Sequence, residues 1–166
     1  DRLDNTYDAF NNYSCDSAGD QRPQTIGQKL LNIEVCPDYD DGTSMIDVED
    51  VDPSTGSILS SSCSFDVAGT SPYSIDVTLI GDTLYYINTD GDLSTRDLST
   101  CGSETVLSNA DAEGELGSSD LFAIDGQLVS VLHDLANTRY IIKLRSTTTG
   151  AITSSLYTLD YYDNEG

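Results

Sequence analysis

A short turn sequence occurs three times at nearly constant spacing along the chain. The copies are DPSTGSILSSS from Asp52, LSTCGSETVLS from Leu98 and RSTTTGAITSS from Arg145. Each copy places Ser or Thr and then Gly before a hydroxyl-rich, β-prone run, and the glycines lie 46 and 48 residues apart (102 − 56 and 150 − 102). A period of about 40 to 50 residues indicates an internal structural repeat.

Segments with the features of short β-strands surround each copy of the turn. An apolar segment, a Gly turn and a strand rich in Leu, Val, Ile and Tyr come first, followed by a break and a further strand. The predicted second strands are Leu30 to Val35, Leu84 to Ile87 and Leu128 to Leu132. The third strands are predicted at residues 43–52, 92–98 and 139–146, and the fourth at 57–65, 103–108 and 151–159. Each unit therefore holds four short strands joined by tight turns of Gly, Asp, Asn and Thr.

Each unit has four antiparallel strands, and the first copy of the turn reads Asp-x-x-Thr-Gly from Asp52 to Gly56. This pattern resembles that of the secreted β-propellers, which carry such hairpins between their third and fourth strands. The resemblance covers about residues 20 to 160. It implies an all-β fold of antiparallel four-stranded repeats, a partial β-propeller of about three blades at residues 21–66, 67–110 and 111–160. A β-sandwich and a short β-solenoid are the alternatives.

Three blades do not close a ring, because propellers have about four to eight blades. The open arc predicts a covering partner, which is a second copy in a homo-oligomer, another chain, or a further part of the same polypeptide. Residues 1–20 are predicted to form an N-terminal segment that closes the first blade or is donated to a neighbour. Residues 161–166 are predicted to be a linker or the start of a further blade.

The charge of the chain excludes two classes of partner. With 29 acidic and 7 basic residues, the formal net charge is −22. Such a charge repels the phosphates of nucleic acids and of anionic lipids. No apolar run approaches the roughly 18 to 20 residues that a membrane-spanning helix needs. We therefore expect no nucleic-acid partner and no membrane insertion.

The cysteines predict disulfides rather than a zinc site, because none of them form a CxxC pair and the single histidine is far from all four. Three connectivities are possible for Cys15, Cys36, Cys63 and Cys101. Blade geometry favours Cys15 with Cys36 and Cys63 with Cys101, although the turn at Cys101 is expected to face the other way. With the N-glycosylation sequon at Asn12, the disulfides predict a secreted protein located outside the cell or at its surface.

Two acidic stretches are candidates for calcium binding, since Ca²⁺ prefers oxygen ligands. The stretches CPDYDDG and NTDGD supply Asp38, Asp40, Asp41, Asn88, Asp90 and Asp92. Neither stretch has the ligand spacing of an EF-hand. The alternative interpretation of both is an Asp-Gly hairpin turn beside a solvated strand face, and Ca²⁺ is the ion that these residues favour.

Catalysis has little support in the sequence. His133 beside Asp134 is a candidate general-base pair, but it stands at a strand end and has no accompanying nucleophile motif. We therefore expect a non-catalytic extracellular structural or adhesion module, completed by self-association or a partner chain, within a surface assembly or filament. Two alternative hypotheses are a fragment of a secreted polysaccharide-acting enzyme and a lectin-like propeller that binds a glycan.

Overall fold

The computed structural model describes residues 20–26, 29–37, 44–67, 76–87, 92–108, 119–134 and 139–160. These ranges contain β-strands and turns and no helix. The strands are β1 (Asp20–Ile26), β2 (Lys29–Pro37), β3 (Ser44–Val51), β4 (Ile58–Val67), β5 (Val77–Ile80), β6 (Thr83–Ile87), β7 (Leu93–Asp97), β8 (Thr105–Ser108), β9 (Ser119–Ile124), β10 (Gln127–Asp134), β11 (Arg139–Arg145) and β12 (Ile152–Asp160).

The strands form three separate four-stranded sheets, and every strand pairs antiparallel with its neighbour in the chain. The first sheet is β1–β4, the second β5–β8 and the third β9–β12. The first strands lie nearest to one another, since β5 contacts both β1 and β9. The predicted all-β fold of antiparallel four-stranded repeats is confirmed. It resembles part of a β-propeller, not a sandwich of two sheets or a solenoid.

Two-residue turns join the first and second strands of the second and third sheets. Gly81 takes a φ of 58° in the turn between Ile80 and Thr83. In the third sheet the turn is Asp125-Gly126, with φ angles of 50° and 72°. Positive φ angles at these positions match the right-handed twist of the paired strands.

The repeated turn joins the third and fourth strands of each sheet. In the first copy the Gly56 N–H donates to the Asp52 carbonyl at 2.8 Å, and Gly56 has a φ of 70°. The Asp52 carboxylate accepts hydrogen bonds from the Ser54 N–H at 2.8 Å and the Ser54 hydroxyl at 2.6 Å. These bonds hold the pKa of Asp52 below its usual range. The Asp side chain therefore closes the turn that the glycine makes possible.

The second and third copies use the same bonding with different residues. Asp97 accepts from the Ser99 N–H at 2.8 Å and the Ser99 hydroxyl at 2.6 Å, which lower the pKa of Asp97. In the third copy the Ser146 hydroxyl oxygen accepts from the Thr148 and Thr149 N–H groups at 3.2 and 3.1 Å. One closing side chain, carboxylate or hydroxyl, thus explains why the chain repeats this sequence.

Each sheet has two faces, which we name by their direction along the chain. The forward face is the one on the side of the next sheet, and the backward face is opposite. The forward face of the first sheet and the backward face of the second form one core cluster: Leu31, Ile33, Val35, Ile46, Val48, Cys63, Phe65, Val67, Val77, Leu79, Leu84 and Tyr86. A second cluster joins the forward face of the second sheet to the backward face of the third: Tyr85, Ile87, Leu93, Leu121 and Leu128.

A disulfide between Cys63 and Cys101 joins the first two sheets, with their Cα atoms 5.5 Å apart. This confirms one predicted pair. The expectation that the Cys101 turn faces away from Cys63 is wrong, because Cys63 lies on the forward face of β4, where the second sheet packs against it. Cys36 is also disulfide-bonded, whereas Cys15 lies outside the described residues.

Candidate functional site

Specific polar contacts between the sheets accompany the apolar clusters. The Asp76 carboxylate, buried at the start of the second sheet, accepts a hydrogen bond from the Leu121 N–H of β9. The Tyr85 hydroxyl donates to the Thr147 carbonyl at 3.1 Å, in the repeated turn of the third sheet. A forward face in this protein therefore combines apolar packing with hydrogen bonds to backbone groups of the sheet that covers it.

The contact between the first two sheets is built around an aromatic pair. The rings of Phe65 and Tyr86 lie 5.8 Å apart, and the Arg96 guanidinium lies 3.8 Å from the centre of the Phe65 ring. A cation over an aromatic face is attracted by the electron density of the ring. Burial, together with the negative charge of Glu104, raises the pKa of Tyr86 to about 12, so its hydroxyl is neutral at physiological pH.

The forward face of the third sheet is apolar and partly open to solvent. Phe122 is 46 % exposed, Ile124 56 % and Leu156 50 %. Val129 is buried at the centre of the face, and three half-buried side chains surround it: Val131, Ile142 and Leu144. Asp120, at the start of β9, is the one acidic residue on this face in the described part of the chain. We call these residues the open face.

The second and third sheets can be aligned through shared turns and bulges. Ile80 and Ile124 both precede a two-residue turn between the first two strands. Leu107 and Leu156 are both the extra residue of a bulge in the fourth strand, without an opposite partner. The alignment therefore rests on backbone pairing and does not depend on residue type.

The open face matches, position for position, the forward face that the third sheet covers. Asp120 takes the position of Asp76, whose carboxylate binds the neighbouring backbone. The apolar counterparts are Ile80 with Ile124, Tyr85 with Val129, Ile87 with Val131, Leu93 with Ile142 and Leu107 with Leu156. At the two remaining positions, Thr78 and Thr95 of the covered face are replaced by Phe122 and Leu144, so the open face is the more apolar of the two.

The backward face of the first sheet carries acidic side chains and is partly buried. Glu34, Asp47 and Glu49 are half-buried on it, and Asn32 and Cys36 are buried. Glu34 lies opposite Asp47, and Asn32 lies opposite Glu49. The Asn32 amide donates to the Glu49 carboxylate at 3.0 Å, and the Ser61 hydroxyl donates to Asp47 at 2.8 Å. We call this the acidic face. The two ends of the arc therefore differ in charge and in polarity.

The structure places few of the residues that the sequence singled out as candidate sites. Asp92 is half-buried directly before β7. The other five candidate calcium ligands, Asp38, Asp40, Asp41, Asn88 and Asp90, lie outside the described residues, as does Asn12. His133 lies in β10 opposite Tyr140 of β11, but its side chain lies outside what the structure describes. The calcium, glycosylation and histidine assignments therefore stay predictions from the sequence.

Neither a metal-binding cluster nor a membrane-spanning helix occurs among the described residues. None of their His, Cys, Asp and Glu side chains form a group of three or more arranged to hold a metal ion. Within the same ranges, no helix has the length and apolar character needed to cross a membrane.

The open face was not among the candidates from the sequence. Its residues lie in the run FAIDGQLVSVLH, which was interpreted only as two strands and a turn. Apolar residues at 122, 124, 129 and 131 alternate with Leu121 and Leu128 of the opposite face. A strand pair that is apolar on both faces indicates burial on both sides, and that signal was available in the sequence.

Comparisons with known proteins bear on the fold alone. No protein-family model matches the chain, and no curated protein matches it in sequence. Among solved structures, the chain is similar to BamB from Moraxella catarrhalis, at 15 % sequence identity and a TM-score of 0.30. The match covers 84 % of this chain and 48 % of that one, so this chain spans about half the length of the protein it matches. The fold described above rests on the strands of the chain itself.

Proposed function

We propose that this chain is a non-catalytic interaction module of β-propeller type, whose arc of three sheets is completed by another β-sheet at the open face. The observation that carries the proposal is the match between the open face and the forward face of the second sheet. The third sheet covers the forward face of the second sheet, where Ile87 and Leu93 are buried in the contact. A face of the same design, with Phe122 and Ile124 about half exposed, is suited to the same use.

The disulfides support an extracellular location for this module. Cys63 and Cys101 bridge two sheets, and Cys36 is oxidised as well. Structural disulfides persist in oxidising compartments and are rare where thiols are kept reduced. The acidic surface suits a highly soluble protein at a cell surface. We therefore assign the module to the secreted propellers with Asp-x-x-Thr-Gly hairpins, in a scaffolding or adhesive role.

A chain extended by one repeat tests whether the open face accepts a sheet. A second copy of residues 111–160 is appended, with the counterparts of Phe122, Ile124 and Leu156 in the added copy changed to Ser so that it offers no new apolar face. We expect hydrogen exchange in β9 and β10 to slow, since burial of three half-exposed side chains adds about 3 kcal/mol. The measurement is amide exchange by mass spectrometry.

The matched control is the same extension with the counterparts of Leu121 and Leu128 in the added copy also changed to Ser. This control removes the apolar contact that the added sheet offers, while the length of the chain stays the same. Equal exchange rates in the two extended chains would contradict the proposed function, because the open face would then not recognise a sheet of its own kind.

A further inference from the structure

We propose that the sheet covering the open face is the open face of a second copy of this chain, so that two arcs pair about a two-fold axis. This inference rests on the proposed function and names the partner. The assembly would contain six sheets, with the two third sheets packed face to face at its centre. Sheets packed in this way lie about 10 Å apart, as in a β-sandwich.

The acidic face decides against the other arrangement of two copies. In a head-to-tail pair, the acidic face of one copy would cover the open face of the next. The acidic face is not free for such a contact, because Asn32 and Cys36 on it are already buried within one chain. The exposed parts of Glu34, Asp47 and Glu49 would also be removed from water against apolar side chains. Burying carboxylates against apolar side chains without a counter-charge is strongly unfavourable. Head-to-tail pairing also forms open filaments unless the rotation closes, whereas a two-fold contact ends at the dimer.

The charge of the chain also favours contact at the open face. Each copy carries a formal charge of −22, so two copies repel each other over most of their surfaces. The centre of the open face is formed by Val129, Val131 and Ile142, and Asp120 lies at its edge, where β9 begins. Apart from Asp120, this patch is apolar and self-complementary, as a two-fold interface requires. The open face is thus a region where two copies can approach with little charge repulsion.

The mass of the native particle tests the inference directly. Light scattering coupled to size exclusion is expected to give about twice the 17.9 kDa of one chain. The mass should not rise above that of two chains at any concentration, because the two-fold contact is closed. The double variant Phe122→Ser/Ile124→Ser is expected to be monomeric, because the lost apolar contact raises the Kd of the dimer at least about 100-fold. Both side chains are about half exposed in the single chain, so we expect the variant to fold.

The matched control is Asp47→Asn, which changes the acidic face. A two-fold dimer at the open face leaves the mass of this variant unchanged, whereas a head-to-tail assembly would change with it. A wild-type chain that stays monomeric, or a mass that rises above two chains, overturns the inference. If the wild type is monomeric while the extended chain still slows exchange in β9 and β10, the proposed function stands and only the second copy as partner is rejected.

Discussion

At the scale of single residues, the repeated turn depends on one position with a left-handed backbone. Gly56 and Gly150 occupy it in the first and third copies, with φ angles of 70° and 72°. In the second copy the position is taken by Cys101, with a φ of 48°, and not by Gly102. A side chain in this conformation costs about 1 to 2 kcal/mol. The bridge to Cys63 explains why a cysteine is kept there despite that cost.

Two double variants separate the bridge from the backbone strain. Cys63→Ala/Cys101→Ser and Cys63→Ala/Cys101→Gly both lose a disulfide that spans 38 residues, at a cost of about 4 kcal/mol in the loop-entropy model. We expect the glycine variant to be more stable than the serine variant by about 1 kcal/mol, because glycine adopts a positive φ without strain. Urea unfolding measures the difference, and equal midpoints would show that Cys101 is not strained.

At the scale of elements, the second sheet is buried on both faces and its strand β6 shows how. Leu84 and Tyr86 point into the cluster with the first sheet, while Tyr85 and Ile87 point into the cluster with the third. Successive side chains of a strand alternate between faces, so a strand covered on both sides is apolar throughout. The two adjacent tyrosines therefore serve different interfaces, although they are neighbours in the chain.

The tyrosine pair gives a matched test of the two interfaces. Tyr85→Phe removes the hydrogen bond to the Thr147 carbonyl and is expected to cost about 1 kcal/mol. Tyr86→Phe is expected to cost less or to stabilise, because in the described part of the chain no hydrogen bond of normal geometry reaches this buried hydroxyl. Urea unfolding of both variants provides the comparison. A larger loss of stability for Tyr86→Phe would show that the Tyr86 hydroxyl forms a hydrogen bond with Arg96 or Glu104.

At the scale of the whole molecule, the net charge of −22 opposes both folding and pairing. Raising NaCl from 0.05 to 0.5 M shortens the Debye length from about 14 to about 4 Å. We expect the Tm to rise by several degrees over this range, since repulsion among the acidic side chains is screened. The measurement is thermal unfolding followed by circular dichroism, and a constant or falling Tm would contradict it.

Calcium at matched ionic strength distinguishes screening from binding. The predicted ligands include Asp38, Asp40 and Asp90. If they bind Ca²⁺, CaCl₂ should raise the Tm beyond the effect of NaCl, and EDTA should reverse the difference, because a ligand that binds the folded state stabilises it. Equal effects of the two salts would reject the calcium site and leave screening as the explanation.

The sequence was sufficient for the local structure of the protein. The four strands of each repeat and the turns between them follow from side-chain alternation and from Gly, Asp and Ser at the turns, which act within a few residues. It aligned the second turn on Gly102, whereas Cys101 adopts the positive φ, because a Ser-Thr-Cys-Gly run does not show which residue takes that conformation. The direction in which the Cys101 turn faces was also predicted wrongly, because it depends on how the second sheet packs on the first.

Only the tertiary structure decided which faces are covered. Tyr85 and Tyr86 are the same residue type in the same strand, and their interfaces are set by sheets that lie tens of residues away in sequence. In the sequence, Phe122 and Ile124 look like other strand residues. Their exposure follows from the position of the third sheet at the end of the arc. The sequence determines the strands because their causes are local, whereas the open face and the acidic face depend on which sheets become neighbours.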